Sequence, residues 1–305
     1  MKLVVAIGAS SFAVEDDTPL RLLIDSGVEV RNNTYGRRLT EEETIQHLRG
    51  VDGLLAGLEP LNKNVLSASP ELKAIARIGI GMTNVDIVEA KERGIKVSNT
   101  PDGPTKAVAE MTLTAALALC RKLTVENSLL HQGRWEKHIS SSLDGAKVLI
   151  IGYGRIGRRT GELFQVFGAD ILVVDPAVKP EMLCNNERLV SLEEGLNEAQ
   201  LISIHASGTD VLLGHREFEL MKEGVILLNS ARGELVDENA LVRALDEERV
   251  SGAWFDAFWE EPYKGVLCRY EQVLLTPHVS TYTRECRLSM ETEAVKNLLR
   301  DLGVR

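Results

Sequence analysis

The chain has 305 residues, 44% apolar and 26% charged, with a formal net charge of -10. That length suits two domains, and an acidic balance with no run of lysines or arginines argues against nucleic acid or an anionic membrane surface as a partner. Cys120, Cys184, Cys268 and Cys286 are too scattered for a disulfide framework or a zinc site, no metal-ligand spacing occurs among the six histidines, and the longest apolar stretch, residues 111–120, is well short of a membrane span. The apolar start at residues 3–7 is too short for a signal peptide, so a reducing cytoplasm is the expected location.

Apolar runs alternate with helical patterns along the chain, as in parallel α/β sheets. Residues 3–7 read as a strand, and Thr18-Pro19 as the N-cap and first residue of a helix ending near Gly27. Residues 28–31 form a second strand, and Thr40-Glu41-Glu42-Glu43 is a capping box for the next helix. Residues 53–56, 74–78 and 96–98 read as further strands. The strongly apolar pattern of residues 105–123 predicts a helix buried on most sides, bridging two domains or meeting a second subunit. Later strands fall at 201–204, 225–228, 252–255 and 273–275, with a capping box at Ser191-Leu192-Glu193-Glu194 and a closing helix over 284–302. That helix follows a completed βαβ domain and is expected to cross back to the first. The expectation is therefore a discontinuous domain, residues 1–98 and 281–305, with residues 99–280 inserted as a dinucleotide-binding domain.

The densest signal is Val148-Leu149-Ile150-Ile151-Gly152-Tyr153-Gly154-Arg155-Ile156-Gly157, followed by a helical pattern and then Ile171-Leu172-Val173-Val174-Asp175. A dinucleotide needs this order. Gly152 serves the turn, Gly154 lets backbone approach the pyrophosphate, and Gly157 lets helix and strand pack closely. Arg155 and Ile156 open the helix, whose N-terminal N–H groups suit phosphate. Asp175 can accept hydrogen bonds from ribose hydroxyls and would repel a 2′-phosphate, which indicates NAD rather than NADP.

In open α/β sheets, working residues sit just beyond the carboxyl ends of strands. At those places stand His205, Asn229 to Arg232, Asp256 and His278. Arg232, just before Gly233, could hold a substrate carboxylate bidentately, or be a surface ion pair. His278 in Thr276-Pro277-His278 is a natural acid/base near neutral pH, or a histidine satisfied in a turn. Glu261 is the candidate to fix its tautomer, with Glu260 the second choice. Arg134, Lys137 and Arg37-Arg38 could meet a phosphate, or be solvated or interdomain residues, and His47, His131 and His215 sit in polar helical contexts without an assigned role.

Taken together, Gly152-x-Gly154-x-x-Gly157 with Asp175-Pro176, Asn229-x-Ala231-Arg232-Gly233-x-x-Val236-Asp237, Asp256-x-Phe258-x-x-Glu261-Pro262 and Pro277-His278 resemble the D-isomer-specific 2-hydroxyacid dehydrogenases. Upstream, residues 77–86 resemble that family's substrate loop, and residues 90–101 the segment leading into its cofactor domain. The resemblance implies a Rossmann NAD-binding domain inserted into a flavodoxin-like substrate domain, both doubly wound parallel sheets. It implies Arg232, Glu261 and His278 as the catalytic set. Cofactor contacts would come from Gly152, Gly154, Arg155, Ile156, Gly157, Asp175, His205 and Ala231, with Asp256 facing the nicotinamide carboxamide. Arg77, Gly79, Ile80, Gly81 and Asn99 would bind substrate, with Thr105 nearby. It implies a small 2-hydroxy or 2-oxo acid as ligand, no metal, and a homodimer with residues 107–123 near the interface. The phosphoglycerate dehydrogenase branch, without a regulatory domain, is closest. This makes 3-phosphoglycerate the first substrate expectation and glyoxylate or hydroxypyruvate the second. A nucleotide-sensing binding protein on the same fold is the third. Two positions depart from the family pattern: Val279-Ser280-Thr281 stands where glycines usually follow the histidine, and His205-Ala206-Ser207 lacks the usual proline.

Overall fold

Val4–Ile7 (β1), Glu29–Arg31 (β2), Gly53–Ala56 (β3), Ala74–Arg77 (β4) and Lys96–Ser98 (β5) form a sheet in the order β2-β1-β3-β4-β5, with every pairing parallel. The computed structural model describes residues 2–184 and 187–304. Helices Thr18–Asp25 (α1), Glu41–His47 (α2), Lys63–Ser67 (α3) and Ile87–Glu92 (α4) make the crossovers. The capping box of α2 forms: Thr40 Oγ1 accepts the Glu43 N–H at 3.3 Å, and Glu43 Oε2 accepts the Thr40 N–H at 2.9 Å. At α1 the cap position falls on Asp17, one residue before the expected Thr18, and Pro19 lies within the first turn. His47 is buried rather than in polar surroundings. Its Nε2 lies 3.0 Å from the Ile7 carbonyl, and desolvation lowers its pKa.

Pro104–Cys120 (α5) and Leu123–His131 (α6) replace the single helix expected over 105–123. Lys122 adopts a left-handed conformation (φ 49°) and breaks the run. Next come Lys147–Ile151 (β6), Arg155–Val166 (α7), Asp170–Val174 (β7), Arg188–Leu189 (β8), Leu192–Glu198 (α8), Leu201–Ile204 (β9), His215–Leu220 (α9), Val225–Asn229 (β10), Glu238–Asp246 (α10), Val250–Phe255 (β11) and Val273–Leu275 (β12). Their strands make one parallel sheet in the order β12-β11-β10-β9-β6-β7-β8. β6, β9 and β10 are mostly apolar because both faces are covered: Leu149, Ile202 and Leu227 pack on one side, Ile150, Leu201 and Leu228 on the other.

Arg284–Leu302 (α11) returns to the first sheet, lying against β3 and β4. Gly53 permits this, since a Cβ there would come within 2.8 Å of Leu302 Cδ1. The chain thus divides into two units, Met1–Pro104 with Thr281–Arg305 and Thr105–Ser280. The first break follows residue 104 rather than residue 98 for a local reason. Thr100 exchanges two hydrogen bonds with Gly79, and the Asn99 carbonyl accepts from Asn297 of α11. Among the described residues no helix is long and apolar enough to cross a membrane, and no cluster of His, Cys, Asp and Glu could hold a metal ion.

Candidate active site

The seven-stranded sheet reverses its direction of winding between β6 and β9, and open sheets of this kind bind ligands at the carboxyl ends of such strands. Gly152 ends β6 with φ 91°; a Cβ there would lie 2.5 Å from the Ala206 nitrogen beyond β9. A Cβ on Gly157 would lie 2.1 Å from the Gly152 oxygen. The protein's own backbone therefore demands these two glycines. Gly154, the N-cap of α7, is different, because a Cβ there would meet nothing within 4 Å. It leaves open space at a helix N-terminus, the place where a pyrophosphate is held.

Arg155 and Ile156 form the first turn of α7 beside that space. Asp175 follows β7, and its two oxygens accept the Tyr153 N–H at 2.7 Å and the Ala177 N–H at 2.8 Å. The carboxylate thus ties the end of β7 to the glycine turn, and each oxygen keeps a lone pair for a ribose hydroxyl. These residues fit NAD. The His205 ring turns to its own strand, with Nε2 2.8 Å from Ser203 Oγ. Desolvation drives its pKa down to about 3, so the ring is neutral at physiological pH.

At the other side of the sheet, β10, β11 and β12 deliver the catalytic candidates. His278 Nδ1 lies 2.9 and 3.0 Å from the two Glu261 oxygens. Burial pushes the Glu261 carboxyl up. Hydrogen bonds from His278 and the Phe258 N–H, with the charges of His278 and Arg232, outweigh it and leave the pKa lowered. An ionised carboxylate only accepts, so His278 Nδ1 must donate and Nε2 is free to take or give a proton. Arg232, Glu261 and His278 therefore form one electrostatic group. Gly233 makes it possible: a Cβ there would lie 2.3 Å from the Phe258 carbonyl carbon and the Trp259 nitrogen. Asn229, fully buried, shapes the turn by donating to the Arg232 oxygen and accepting the Ala231 N–H, and the Ala231 oxygen accepts from Arg232 Nη1.

His278 itself is strained, at φ 55°. Asp256, 1% exposed, holds it there. Its Oδ1 accepts the Thr276 hydroxyl at 2.6 Å and the Val279 N–H at 2.9 Å, while Oδ2 accepts the Ser280 N–H at 2.9 Å. Trp254 Nε1 completes the chain by donating to Thr276 Oγ1. The loop after the histidine is thus fastened through backbone amides, which any residue supplies, so Val279-Ser280 can replace glycines here. Thr276 was missed as a working residue although it stands two before the histidine.

In the first unit, the turn after β4 carries Gly79, Ile80 and Gly81. The Gly79 N–H is engaged by Thr100 Oγ1 at 2.7 Å. Asn99 braces this turn, with Nδ2 donating to the Ile80 oxygen at 2.9 Å. Arg77 lies over it, its Nη1 2.8 Å from where a Gly79 Cβ would be. Thr105 Oγ1 is buried at the start of α5. Glu59, buried at the end of β3, carried no sequence signal, because an acid before Pro60 looks like any turn.

Residues 113–280 match the family model described as "D-isomer specific 2-hydroxyacid dehydrogenase, NAD binding domain". The chain is 34% identical over 270 residues to a glyoxylate reductase of Thermococcus litoralis, covering 84% of this chain and 82% of that protein. It is 34% identical over 274 residues to a D-3-phosphoglycerate dehydrogenase of Sus scrofa, covering 87% of this chain but only 51% of that longer protein. The crystal structure of the TT0316 protein from Thermus thermophilus superposes with a TM-score of 0.89 at 31% identity, covering 99% of this chain and 98% of that one. The chain belongs to the D-isomer-specific 2-hydroxyacid dehydrogenase family, whose members are NAD-dependent oxidoreductases.

Proposed function

We propose that this protein interconverts a short D-2-hydroxy acid and its 2-oxo acid, with Arg232, Glu261 and His278 as its catalytic set. The hydrogen-bonded meeting of His278 with Glu261, in the field of Arg232, carries the reading. In oxidation, His278 Nε2 takes the hydroxyl proton of the substrate while Glu261 holds Nδ1–H. In reduction, the protonated ring returns a proton to the carbonyl oxygen. Bound NAD supplies the hydride acceptor or donor at the same carbon. Arg232 orients the acid and polarises its 2-oxygen. Asp256 acts by keeping His278 in place.

Between the two substrate expectations, an unphosphorylated acid such as glyoxylate or hydroxypyruvate comes first. A terminal phosphate asks for several uncommitted cations. Arg31 donates to the His47 and Arg49 carbonyls, Arg37 pairs with Glu43, and Lys73 pairs with Asp52. Arg134 pairs with Glu136, which leaves Arg38 and Lys137 as the two candidates without a hydrogen-bonded acid, fewer than a phosphate site gathers. 3-Phosphoglycerate stands second. The working form is a homodimer, supported by the exposed apolar arm after α5. The test is NADH oxidation with a panel of 2-oxo acids, repeated with NADPH. Glyoxylate or hydroxypyruvate should be reduced, and His278→Ala should lose roughly a hundredfold to ten-thousandfold in kcat/KM. Full turnover by that variant would end the mechanism.

A further inference from the structure

We propose that the Ser280 hydroxyl is a cofactor contact: it donates to the carboxamide oxygen of the nicotinamide while Asp256 accepts from the carboxamide nitrogen. The placement follows from strand order, β12-β11-β10-β9-β6-β7-β8. The open N-terminus of α7, after β6, suits the pyrophosphate, and Asp175, after β7, suits the adenosine ribose. The other half of a dinucleotide then has to extend the opposite way, over the carboxyl ends of β9, β10, β11 and β12. Asp256 follows β11, and Ser280 stands in the loop after β12. Both belong to the unit Thr105–Ser280.

Ser280 is 5% exposed, and its Oγ is buried with no hydrogen-bond partner among the described residues. An orphaned hydroxyl inside a protein is costly and uncommon. Nothing in the loop calls for serine. The Ser280 N–H donates to Asp256 Oδ2 at 2.9 Å, and glycine or alanine would supply the same amide. The hydroxyl gains nothing within the chain, so its partner comes from outside it. No hydrogen bond has to break for it to turn about χ1 toward a ligand. Its neighbour is prepared in the complementary sense. Asp256 Oδ1 is taken up by the Thr276 hydroxyl and the Val279 N–H, whereas Oδ2 accepts the Ser280 N–H and keeps a lone pair for a second donor. An acceptor on Asp256 and a donor on Ser280, joined by one amide, match a primary carboxamide, which offers N–H groups and a carbonyl oxygen. With the family's usual glycine after the histidine, the acceptor would be present without the donor. The contact therefore belongs to this chain's own sequence.

The test is binding to the whole protein, for wild type, Ser280→Ala and Ser280→Gly, and it needs no particular substrate. NADH is followed by its fluorescence, and ADP-ribose, which lacks the nicotinamide, by calorimetry. Both variants should bind NADH about three- to tenfold more weakly, the scale of one neutral hydrogen bond. ADP-ribose should bind all of the proteins alike. The reduced 3-acetylpyridine analogue, which keeps the carbonyl oxygen but has no amide nitrogen, should lose as much as NADH. The apo Tm of Ser280→Ala should hold or rise, because a buried hydroxyl without a partner is removed. Unchanged NADH affinity in both variants would overturn the contact. Equal losses for NADH and ADP-ribose would also overturn it and make Ser280 a residue that shapes the loop. A loss for NADH but not for the acetylpyridine analogue would put the hydroxyl on the amide nitrogen and overturn its assignment as donor to the oxygen. If the wild type binds neither NADH nor ADP-ribose, the NAD reading itself falls, and the contact with it.

Discussion

His278 is positioned from two directions. Glu261 fixes its ring, and Asp256 fixes its backbone by accepting from the Thr276 hydroxyl and from the two amides that follow the histidine. Asparagine at 256 can keep only one acceptor oxygen, so at least the Ser280 N–H or the Oδ1 pair loses its partner. Asp256→Asn should destabilise the protein by about 1–3 kcal/mol in urea unfolding. It should also lower kcat more than KM, since the strained φ of His278 is no longer enforced. An unchanged kcat would assign Asp256 to stability alone. His205 gives a separate, pH-dependent signature. Its folded pKa, about 3, lies below the ordinary value of 6.5. Between those values the unfolded chain binds a proton that the folded chain refuses. Stability therefore falls as pH drops through this window. His205→Asn should flatten the dependence of Tm on pH there, measured by calorimetry at several pH values. At this scale the sequence was informative where a residue's type is unusual for a turn, as with Arg232 and His278. It was silent on Thr276, whose place in the site comes from its hydrogen bonds to Asp256 and Trp254 rather than from local pattern.

Among the elements, the β6–α7 unit shows how one motif mixes structural and ligand demands. A Cβ on Gly157 would collide with the Gly152 carbonyl oxygen at 2.1 Å, whereas one on Gly154 meets only space. Gly157→Ala should therefore destabilise the apoprotein by about 1–3 kcal/mol, the usual cost of overpacking. Gly154→Ala should leave the apo Tm within a degree or two but weaken NADH, read by fluorescence titration. Equal loss of stability in both variants would mean that the open space at the α7 N-terminus is not built for a ligand. Element boundaries were legible wherever hydrophobic period and capping residues agree. The strands at 53–56, 96–98, 201–204 and 273–275 and the helix at 284–302 begin and end where the pattern says. The break at Lys122 was not legible. Lysine is an ordinary helix former, and only the chain's need to turn there puts it at φ 49°.

For the whole molecule, helix α11 follows a finished parallel sheet and packs on the other one, against β3 and β4. The exposed stretch after α5 is a different matter. Trp135 is 79% exposed and Ile139 97% exposed, with Leu123 and Leu130 also turned to solvent. Beside them, along the amino ends of β6, β9 and β10, runs a groove of about 660 Å³ lined by Leu119, Ile139 and Ile226 among others. An isolated domain gains nothing from presenting a tryptophan and an isoleucine on an arm of irregular backbone, and exposed apolar patches of this kind mark interaction surfaces. The cofactor crevice lies at the opposite, carboxyl ends of the same strands, so the groove can be covered without obstructing chemistry. A second copy of the chain offers the same arm and groove in return, which suits a two-fold interface burying roughly 1,600 Å² in all. Sedimentation should therefore give twice the chain mass at micromolar concentration. Ile139→Asp would bury an unpaired carboxylate at the seam and should shift the protein toward single chains, weakening the dimer by on the order of 2 kcal/mol or more. His278 and Glu261 keep their own hydrogen bonds in that variant, and loss of dimer without loss of the apo fold by circular dichroism is the expected pattern. A wild type that sediments as a single chain would leave Trp135 and Ile139 for another partner.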